Sequence, residues 1–120
     1  FRGRKTNGSN YQTVGVIACN VIPLNTGGAF DGTTFTVPRQ GHYEFFAVTH
    51  STTTQCRWRI EVVGGDVIAA RYTDQPATST SVTTVALLAA GQQVQCRLVS
   101  GSFWAGYHDN SWMWGGHWVG

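Results

Sequence analysis

Residues 29–45 read Ala-Phe-Asp-Gly-Thr-Thr-Phe-Thr-Val-Pro-Arg-Gln-Gly-His-Tyr-Glu-Phe, and this stretch decides the fold. Phe35 and Val37 alternate with threonines, which is the period-two pattern of a half-buried strand. Pro38 fixes the backbone φ angle at the start of a turn, and Gly41 tolerates the exit from that turn. The stretch therefore predicts a strand, a turn and a second strand.

The second strand is predicted over residues 42–50, and both of its faces are apolar. One face carries Tyr43, Phe45 and Ala47, and the other carries Phe46 and Val48. A strand that is apolar on both faces must be covered on both faces. Because a chain of 120 residues has little other material for the second face, we expect a partner subunit to cover Phe46 and Val48.

Short strands with glycine and proline punctuation continue along the chain, and no helical pattern interrupts them. The clearest alternation runs from Gln55 to Val63, where the inner face carries Cys56, Trp58, Ile60 and Val62. Further strands are predicted at residues 1–5, 13–21, 67–72, 81–88, 93–99 and 111–119, with a short one within 101–106. This pattern is typical of an all-β sandwich or barrel, and the length is that of one domain.

Several residues of the deciding stretch form a pattern known from other proteins: Phe30-Asp31, Thr34-Phe35-Thr36, Pro38, Gly41, Tyr43 and Phe45. This set resembles the signature of the complement C1q globular-head family, a branch of the tumour-necrosis-factor superfamily. The resemblance extends along nearly the whole chain, through residues 1–6, 21–28, Leu88, Gly91 and Val94 to the closing strand. It implies a ten-stranded jelly-roll β-sandwich over residues 1–120 that assembles as a homotrimer.

Composition favours an extracellular protein. Charged residues make up only 12% of the chain, so the polar surface must consist mainly of hydroxyl and amide groups. The net charge of +2 is too small to indicate binding to nucleic acid. No apolar run approaches the roughly 20 residues that a membrane-spanning helix needs. We therefore expect a secreted protein.

No catalytic motif accompanies the ionisable residues. His108 and Asp109 are adjacent, but neighbouring side chains on a strand or turn point apart, and no G-x-S-x-G nucleophile turn accompanies them. The sequence also contains no H-E-x-x-H motif and no glycine-rich phosphate loop. We therefore predict that the protein is not an enzyme.

Three cysteines leave at least one thiol unpaired. Cys56 and Cys96 share the apolar face of their strands, and Cys19 also follows apolar residues, so all three are predicted to point into the core. The C1q resemblance places the strands of Cys56 and Cys96 in opposite sheets, which would permit a disulfide between the sheets. The alternative is that each cysteine behaves as a small buried hydrophobe.

Four of the five tryptophans lie in the last seventeen residues: Trp104, Trp112, Trp114 and Trp118. Large aromatic side chains fill cores and interfaces, but they can also form platforms for sugars. The resemblance implies that the closing strand lies along a three-fold axis, which assigns Trp114 and Trp118 to the trimer interface. Trp104 lies near a loop and is the candidate for a solvent-facing ligand contact.

Two further regions are candidates for ligand binding. The resemblance puts the loop from Tyr107 to Ser111 at the pole away from the chain ends, where Tyr107, His108 and Asp109 offer hydrogen-bonding groups to sugars or other polar ligands. Arg57 and Arg59 form a basic stripe on an outer sheet face that suits sulfate, sialic acid or other anions. The alternative for this stripe is a solvated face that is balanced by Glu61.

A glycosylation site and a calcium site are each predicted at a single residue. Asn7-Gly8-Ser9 is an acceptor triplet for N-glycosylation, so Asn7 is a candidate site. Some C1q-like trimers carry calcium near the three-fold axis, and three copies of Asp109 would meet there. Since three uncompensated carboxylates repel one another, calcium is a candidate ligand of Asp109.

The residues and the resemblance together predict a secreted, homotrimeric recognition module of innate immunity. It would bind microbial surfaces, glycans or protein ligands in a lectin-like manner. One alternative is a structural head that trimerises an extracellular-matrix protein. Another is a cytokine-like ligand of a cell receptor.

Overall fold

The computed structural model describes residues 1–5, 11–49, 55–73, 79–104 and 112–120. Within them it contains twelve strands and one short 3-10 turn at Thr26–Gly28. The strands are β1 (Arg2–Lys5), β2 (Tyr11–Gln12), β3 (Gly15–Val16), β4 (Val21–Leu24), β5 (Thr34–Thr36), β6 (Gly41–Thr49), β7 (Cys56–Val62), β8 (Val67–Thr73), β9 (Thr80–Leu88), β10 (Gln93–Ser100), β11 (Phe103–Trp104) and β12 (Trp112–Trp118).

Ten of these strands form two five-stranded antiparallel sheets that face each other. The first sheet has the order β4-β1-β12-β6-β9. The second sheet has the order β3-β10-β7-β8, and β5 pairs with β10 beside β3. Strands β11 and β2 form a separate two-stranded ribbon. The arrangement confirms the predicted ten-stranded jelly-roll sandwich.

The core between the sheets consists of the inward side chains of alternating strands. On β6 the inward set is Tyr43, Phe45 and Ala47, and on β7 it is Cys56, Trp58 and Ile60; all six are buried. Aromatic rings dominate one end of this core, where the ring of Phe1 lies 4.6 Å from those of both Phe30 and Phe35. At the other end Trp58 meets Trp112 edge-on at 5.0 Å. Such ring pairs add to the free energy of area burial.

The deciding stretch is a strand, a turn and a strand, but its two strands do not pair with each other. β5 pairs with β10 in the second sheet, whereas β6 pairs with β12 and β9 in the first. The turn between them therefore carries the chain from one sheet to the other. The Tyr43 hydroxyl stabilises the turn by donating to the carbonyl oxygen of Arg39 at 2.7 Å.

A second turn precedes β5 and is built around Asp31. The Asp31 carboxylate accepts hydrogen bonds from the backbone N–H groups of Thr33 at 2.9 Å and Thr34 at 2.8 Å. These two bonds hold the pKa of Asp31 below its ordinary value. Asp31 is thus a turn residue that fixes the entry of β5, in the way that aspartate stabilises turns generally.

One predicted strand is wrong in its extent. The sequence predicts a continuous strand over residues 13–21, but only β3 lies within that range, and β4 begins at Val21. Gly15 has φ of 137°, and the backbone N–H of Cys19 donates to Gly32 at 2.8 Å instead of continuing the ladder with β10. The alternation of Val14 and Val16 therefore reflects a short pairing followed by an irregular segment.

The expectation that Cys56 and Cys96 lie in opposite sheets is also wrong. β7 and β10 are neighbours in the second sheet, and Cys96 lies opposite Ile60. Cys56 is four residues from Ile60, about 13 Å along the strand, whereas bridged cysteines have Cα atoms within roughly 7 Å. Cys19, Cys56 and Cys96 are all buried free thiols. This agrees with the alternative that each acts as a small core hydrophobe.

Candidate functional site

The outer face of the first sheet carries a group of apolar side chains among polar ones such as Arg2, Glu44 and His117, and the rest of the described chain leaves this group at least partly exposed. We call it the apolar face and define it by six side chains: Leu24, Phe46, Val48, Val85, Leu87 and Met113. Register places Met113 opposite Val48 and Phe46 opposite Gly115, so these residues share one side of the sheet. Leu24, Val85 and Leu87 are more than half exposed, and the other three are partly buried. The outer side of β6 carries the predicted apolar pair Phe46 and Val48, preceded on the same side by His42 and Glu44. That a partner subunit covers this pair stays a prediction.

Two consecutive glycines in β12 leave room for the rings of Phe45 and Phe46, which strand alternation puts on opposite sides of the sheet. Gly115 lies opposite Phe46, and Gly116 lies opposite Phe45. A Cβ on Gly115 would lie 2.8 Å from Cε1 of Phe46, and one on Gly116 would lie 2.6 Å from Cδ1 of Phe45. Each phenylalanine ring therefore covers the glycine beside it, which fixes the position of the Phe46 ring on the apolar face.

A depression of about 380 Å³ lies within the apolar face. Its lining includes Phe46, Leu24, Phe1 and the polar residues Arg2 and His117. His117 lies 4.0 Å from Glu44, and their side chains are 61% and 43% exposed. The apolar face thus combines a hydrophobic centre with polar residues at its rim, as protein interfaces do.

The prediction that Trp114 lies in a trimer interface is wrong. Trp114 is 0% exposed within the single chain, where its ring lies edge-on to Phe1 at 4.9 Å and to Phe30 at 5.4 Å. Strand alternation points Trp112 and Trp114 into the sandwich, whereas Met113 between them points outward. The residue of β12 that occupies the apolar face is therefore Met113, which the sequence interpretation passed over.

Trp118 lies at the end of the sandwich near both chain termini. It pairs with Tyr43 in the ladder, and its ring is 42% exposed. The guanidinium carbon of Arg39 lies 3.4 Å from the ring centroid, which is a cation–π contact. Gly41 has φ of 154°, and a Cβ there would collide with the indole nitrogen of Trp118. Trp118 is therefore beside the apolar face and not part of it, and its role in an interface stays a prediction.

The outer face of the second sheet carries charge where the first carries apolar groups. We call it the basic face and define it by Arg57, Arg59, Arg97, Glu61 and Tyr72. Arg59 and Arg97 lie directly opposite each other on β7 and β10. Glu61 joins them, because its carboxylate oxygens accept from Nε of Arg59 and from Nε of Arg97, each at 2.8 Å.

Glu61 is the buried centre of this arrangement. Its side chain is 11% exposed, whereas those of Arg59 and Arg97 are 35% and 37% exposed. Two like charges directly opposite in a ladder repel each other, and the shared carboxylate offsets that repulsion. Three arginines and one glutamate leave this face with two uncompensated positive charges. The sequence alternative that Glu61 balances the stripe is therefore correct only in part.

Arg57 and Tyr72 extend the basic face toward β8. They lie opposite each other, and the guanidinium carbon of Arg57 is 5.0 Å from the Tyr72 ring centroid. The Tyr72 side chain is 53% exposed. Sequence interpretation identified Arg57 and Arg59 but missed Arg97 and Tyr72, because these depend on which strands flank β7. The alternation of buried Val94, Cys96 and Leu98 on β10 already places Arg97 on an outer face.

The other predicted ligand residues lie outside the described residues. They are Tyr107, His108 and Asp109, together with the candidate glycosylation site Asn7. Trp104 is described in its backbone alone, which pairs with Tyr11 in the β11–β2 ribbon. Among the described side chains, no group of three or more His, Cys, Asp or Glu residues is placed to hold a metal ion.

Comparison with solved structures places this arrangement among known folds. The globular domain of zebrafish complement 1qA protein superimposes with a TM-score of 0.69 at 15% identity, covering 99% of this chain and 94% of that one. Eiger TNF from S. frugiperda gives 0.65 at 12% identity over 99% of this chain and 90% of its own. Rabbit GITRL gives 0.60 at 11% identity over 76% and 74%. Neither a protein-family model nor a curated protein matches the sequence.

These likenesses establish the fold. The sandwich is a jelly roll of the kind found in C1q globular domains and tumour-necrosis-factor ligands, as the sequence resemblance implied. In the part of the chain that the structure describes, no helix is long and apolar enough to cross a membrane.

Proposed function

We propose that the protein is a secreted, homotrimeric recognition module that binds ligands outside the cell and carries out no catalysis. The observation that carries the proposal is the two-sided character of β6. Its inward residues complete the core, whereas Phe46 and Val48 leave a partly exposed apolar surface on the other side. A soluble protein seldom leaves a contiguous apolar surface uncovered unless something binds there.

A second copy of the same chain is the partner that this surface fits. Exposed Val67 and partly buried Ile68 line a cleft of about 330 Å³ at the edge of the sandwich, so a single chain offers both an apolar face and an apolar edge. Contact between a face and a different surface of the next copy is heterologous, and it closes into a ring when the rotation permits. We take three as the number of subunits because the C1q resemblance implies a trimer.

Self-association through the apolar face would leave the basic face free for ligands. We propose that this face, with the loop carrying Tyr107, His108 and Asp109, contacts glycans, microbial surfaces or extracellular proteins. Calcium at Asp109 and glycosylation at Asn7 are part of the same proposal. Glycosylation would accompany secretion, and calcium would offset the charge of three converging carboxylates.

The test of assembly is Phe46→Asp, which puts a charge into the centre of the proposed interface. We expect wild-type protein to sediment as a trimer at micromolar concentration and the variant as a monomer, because an unpaired buried charge opposes association strongly. Ala70→Asp is the matched control, since Ala70 is exposed and lies opposite Arg59 on the other outer face. A monomeric wild type, or equal dissociation of both variants, would contradict the proposal.

A structural head that only trimerises a longer matrix protein is the second candidate. It is favoured by the same apolar face, which needs no ligand to account for it. The two functions differ in one measurement, the binding of the isolated trimer to an array of microbial and animal glycans. Reproducible binding to a defined class of glycans favours recognition, and a trimer that binds none of them favours the structural head.

A further inference from the structure

We propose that the basic face is a binding site for sulfated polysaccharides. In this site Arg57, Arg59 and Arg97 contact the sulfate groups, and Tyr72 contacts the face of a sugar ring. The inference rests on the proposed recognition function and narrows it to one ligand class and one surface. It assigns roles to Arg97, Glu61 and Tyr72 that the sequence alone does not indicate.

Glu61 positions two guanidinium groups of the basic face. Both ion pairs are made through the Nε atoms of Arg59 and Arg97. Among the residues that the structure describes, no acceptor contacts the Nη groups of either arginine. A guanidinium held by Nε keeps a pair of Nη donors for a second anion. Glu61 therefore orders the two side chains and leaves donors that suit an oxyanion ligand.

The positive charges of the basic face are closely spaced and outnumber its one negative charge. Arg57 and Arg59 are two residues apart on β7, which separates them by about 7 Å along the strand. Arg97 lies across the ladder from Arg59, about 5 Å away between Cβ atoms. Three cations within this small area exceed what one carboxylate neutralises. A polymer that carries several anionic groups in sequence matches such an array better than a single small anion.

An aromatic ring lies beside these cations. Tyr72 is 53% exposed and lies against Arg57. An exposed aromatic face packs against the C–H surface of a sugar ring while its hydroxyl stays hydrated. A neutral stacking surface next to sulfate-binding guanidinium groups is suited to a chain in which sugar rings and sulfates alternate. An unsulfated polymer would contact the Tyr72 ring but would offer no sulfate groups to the arginines.

The experiment measures binding of a size-fractionated heparin hexasaccharide to the intact protein by titration calorimetry, with its desulfated, N-acetylated counterpart as the paired probe. We expect the sulfated probe to bind and the desulfated probe to bind at least tenfold more weakly. Arg57→Gln should weaken binding about tenfold, the effect of losing one charge-assisted hydrogen bond. Because Arg57 makes no ion pair with Glu61, this variant should fold normally.

Two further variants separate a built site from general electrostatic attraction. Arg71→Gln removes an exposed arginine of β8 that bonds the Ser81 carbonyl oxygen at the sandwich edge, and it should change affinity less than twofold. Arg97→Lys keeps the charge but loses the planar fork, so it should weaken binding nearly as much as Arg97→Gln. Equal losses in Arg71→Gln and Arg57→Gln would overturn the site.

The assembly state distinguishes failure of the site from failure of the proposed function. Each variant is sedimented beside the titration. A trimeric wild type that does not bind the sulfated probe overturns the polysaccharide site and leaves the recognition module standing. Equal affinity for a single-stranded DNA oligonucleotide of matched charge would also overturn it, because the basic face would then not distinguish a sulfated polysaccharide from another polyanion.

Discussion

The two outer faces of the sandwich differ although the sheets share one core. The face of the first sheet presents Phe46, Val48 and Met113, and contact of these apolar side chains with water is unfavourable in free energy. The face of the second sheet presents arginines, which are well solvated and held in place by Glu61. The first face gains by being covered permanently, and the second remains available for a reversible contact. Assembly and ligand binding can therefore be changed by separate substitutions.

The largest expected effect is a difference in stability between substitutions at two neighbouring residues of β12, one in the core and one on the apolar face. Trp114→Ala should lower the free energy of unfolding by about 3–5 kcal/mol, because it leaves a cavity among buried rings. Met113→Ala, one residue away on the apolar face, should change the unfolding of the monomer much less and weaken assembly instead. Denaturant unfolding and sedimentation of both variants make the comparison.

The opposite pattern would remove the distinction between the core and the apolar face on β12. If Trp114→Ala dissociated the assembly with little loss of monomer stability, Trp114 would belong to the interface after all. If Met113→Ala left both quantities unchanged, the apolar face would need another partner.

A smaller effect is expected at the centre of the basic face. Glu61→Gln removes the charge that Arg59 and Arg97 share, and we expect a loss of about 1 kcal/mol in the free energy of unfolding. Charge-assisted hydrogen bonds are worth more when buried, but these arginines are about one third exposed, so solvent screens the pairs. Glu44→Gln on the first sheet is the control, because Glu44 lies 4.0 Å from His117 in an exposed setting.

For Glu44→Gln we expect no measurable change in stability. Equal losses in the two glutamine variants would mean that Glu61 contributes only through net charge and does not order the arginines. Urea unfolding of both variants at low and at moderate salt measures how far the loss in the free energy of unfolding depends on ionic strength. The loss caused by Glu61→Gln should shrink at moderate salt, because screening weakens its partly solvated ion pairs, and Glu44→Gln should remain without effect at both salt concentrations.

The sequence predicted the sheet interior better than the pairing of strands. Strict alternation at Cys56, Trp58 and Ile60 identifies an inner face without any knowledge of neighbours, since adjacent side chains on a strand point to opposite sides. The same alternation in β12 separates Met113 from Trp112 and Trp114. The assignment of Trp114 to an interface failed because it followed the resemblance and did not apply this alternation.

The position of Arg97 and the ribbon of β11 and β2 depend on contacts between distant parts of the chain. Arg97 and Arg59 are opposite each other only because β10 lies beside β7. No local pattern fixes which strands become neighbours, and the same is true of the sheet shared by Cys56 and Cys96. Of the apolar face, Phe46 and Val48 could be predicted from β6 alone, whereas the other four residues depend on which strands share the sheet with β6. Of the basic face, only Arg57, Arg59 and Glu61 could be predicted from one strand.

The smallest expected effect concerns the three cysteines of the core between the two faces. We predict that reduction leaves the melting temperature unchanged. Because Cys56 and Cys96 are free and too far apart to bond, a reducing agent should not shift the melting midpoint. Burial raises the pKa of Cys56 to about 11 and that of Cys19 to about 12, and burial also raises the pKa of Cys96. Thiolate is the reactive form, so iodoacetamide at pH 8 should modify the folded protein very slowly and all three thiols after denaturation. A mass two hydrogens lower before reduction, with a melting midpoint that falls when reductant is added, would require a disulfide, in contradiction to the three free thiols of the structure.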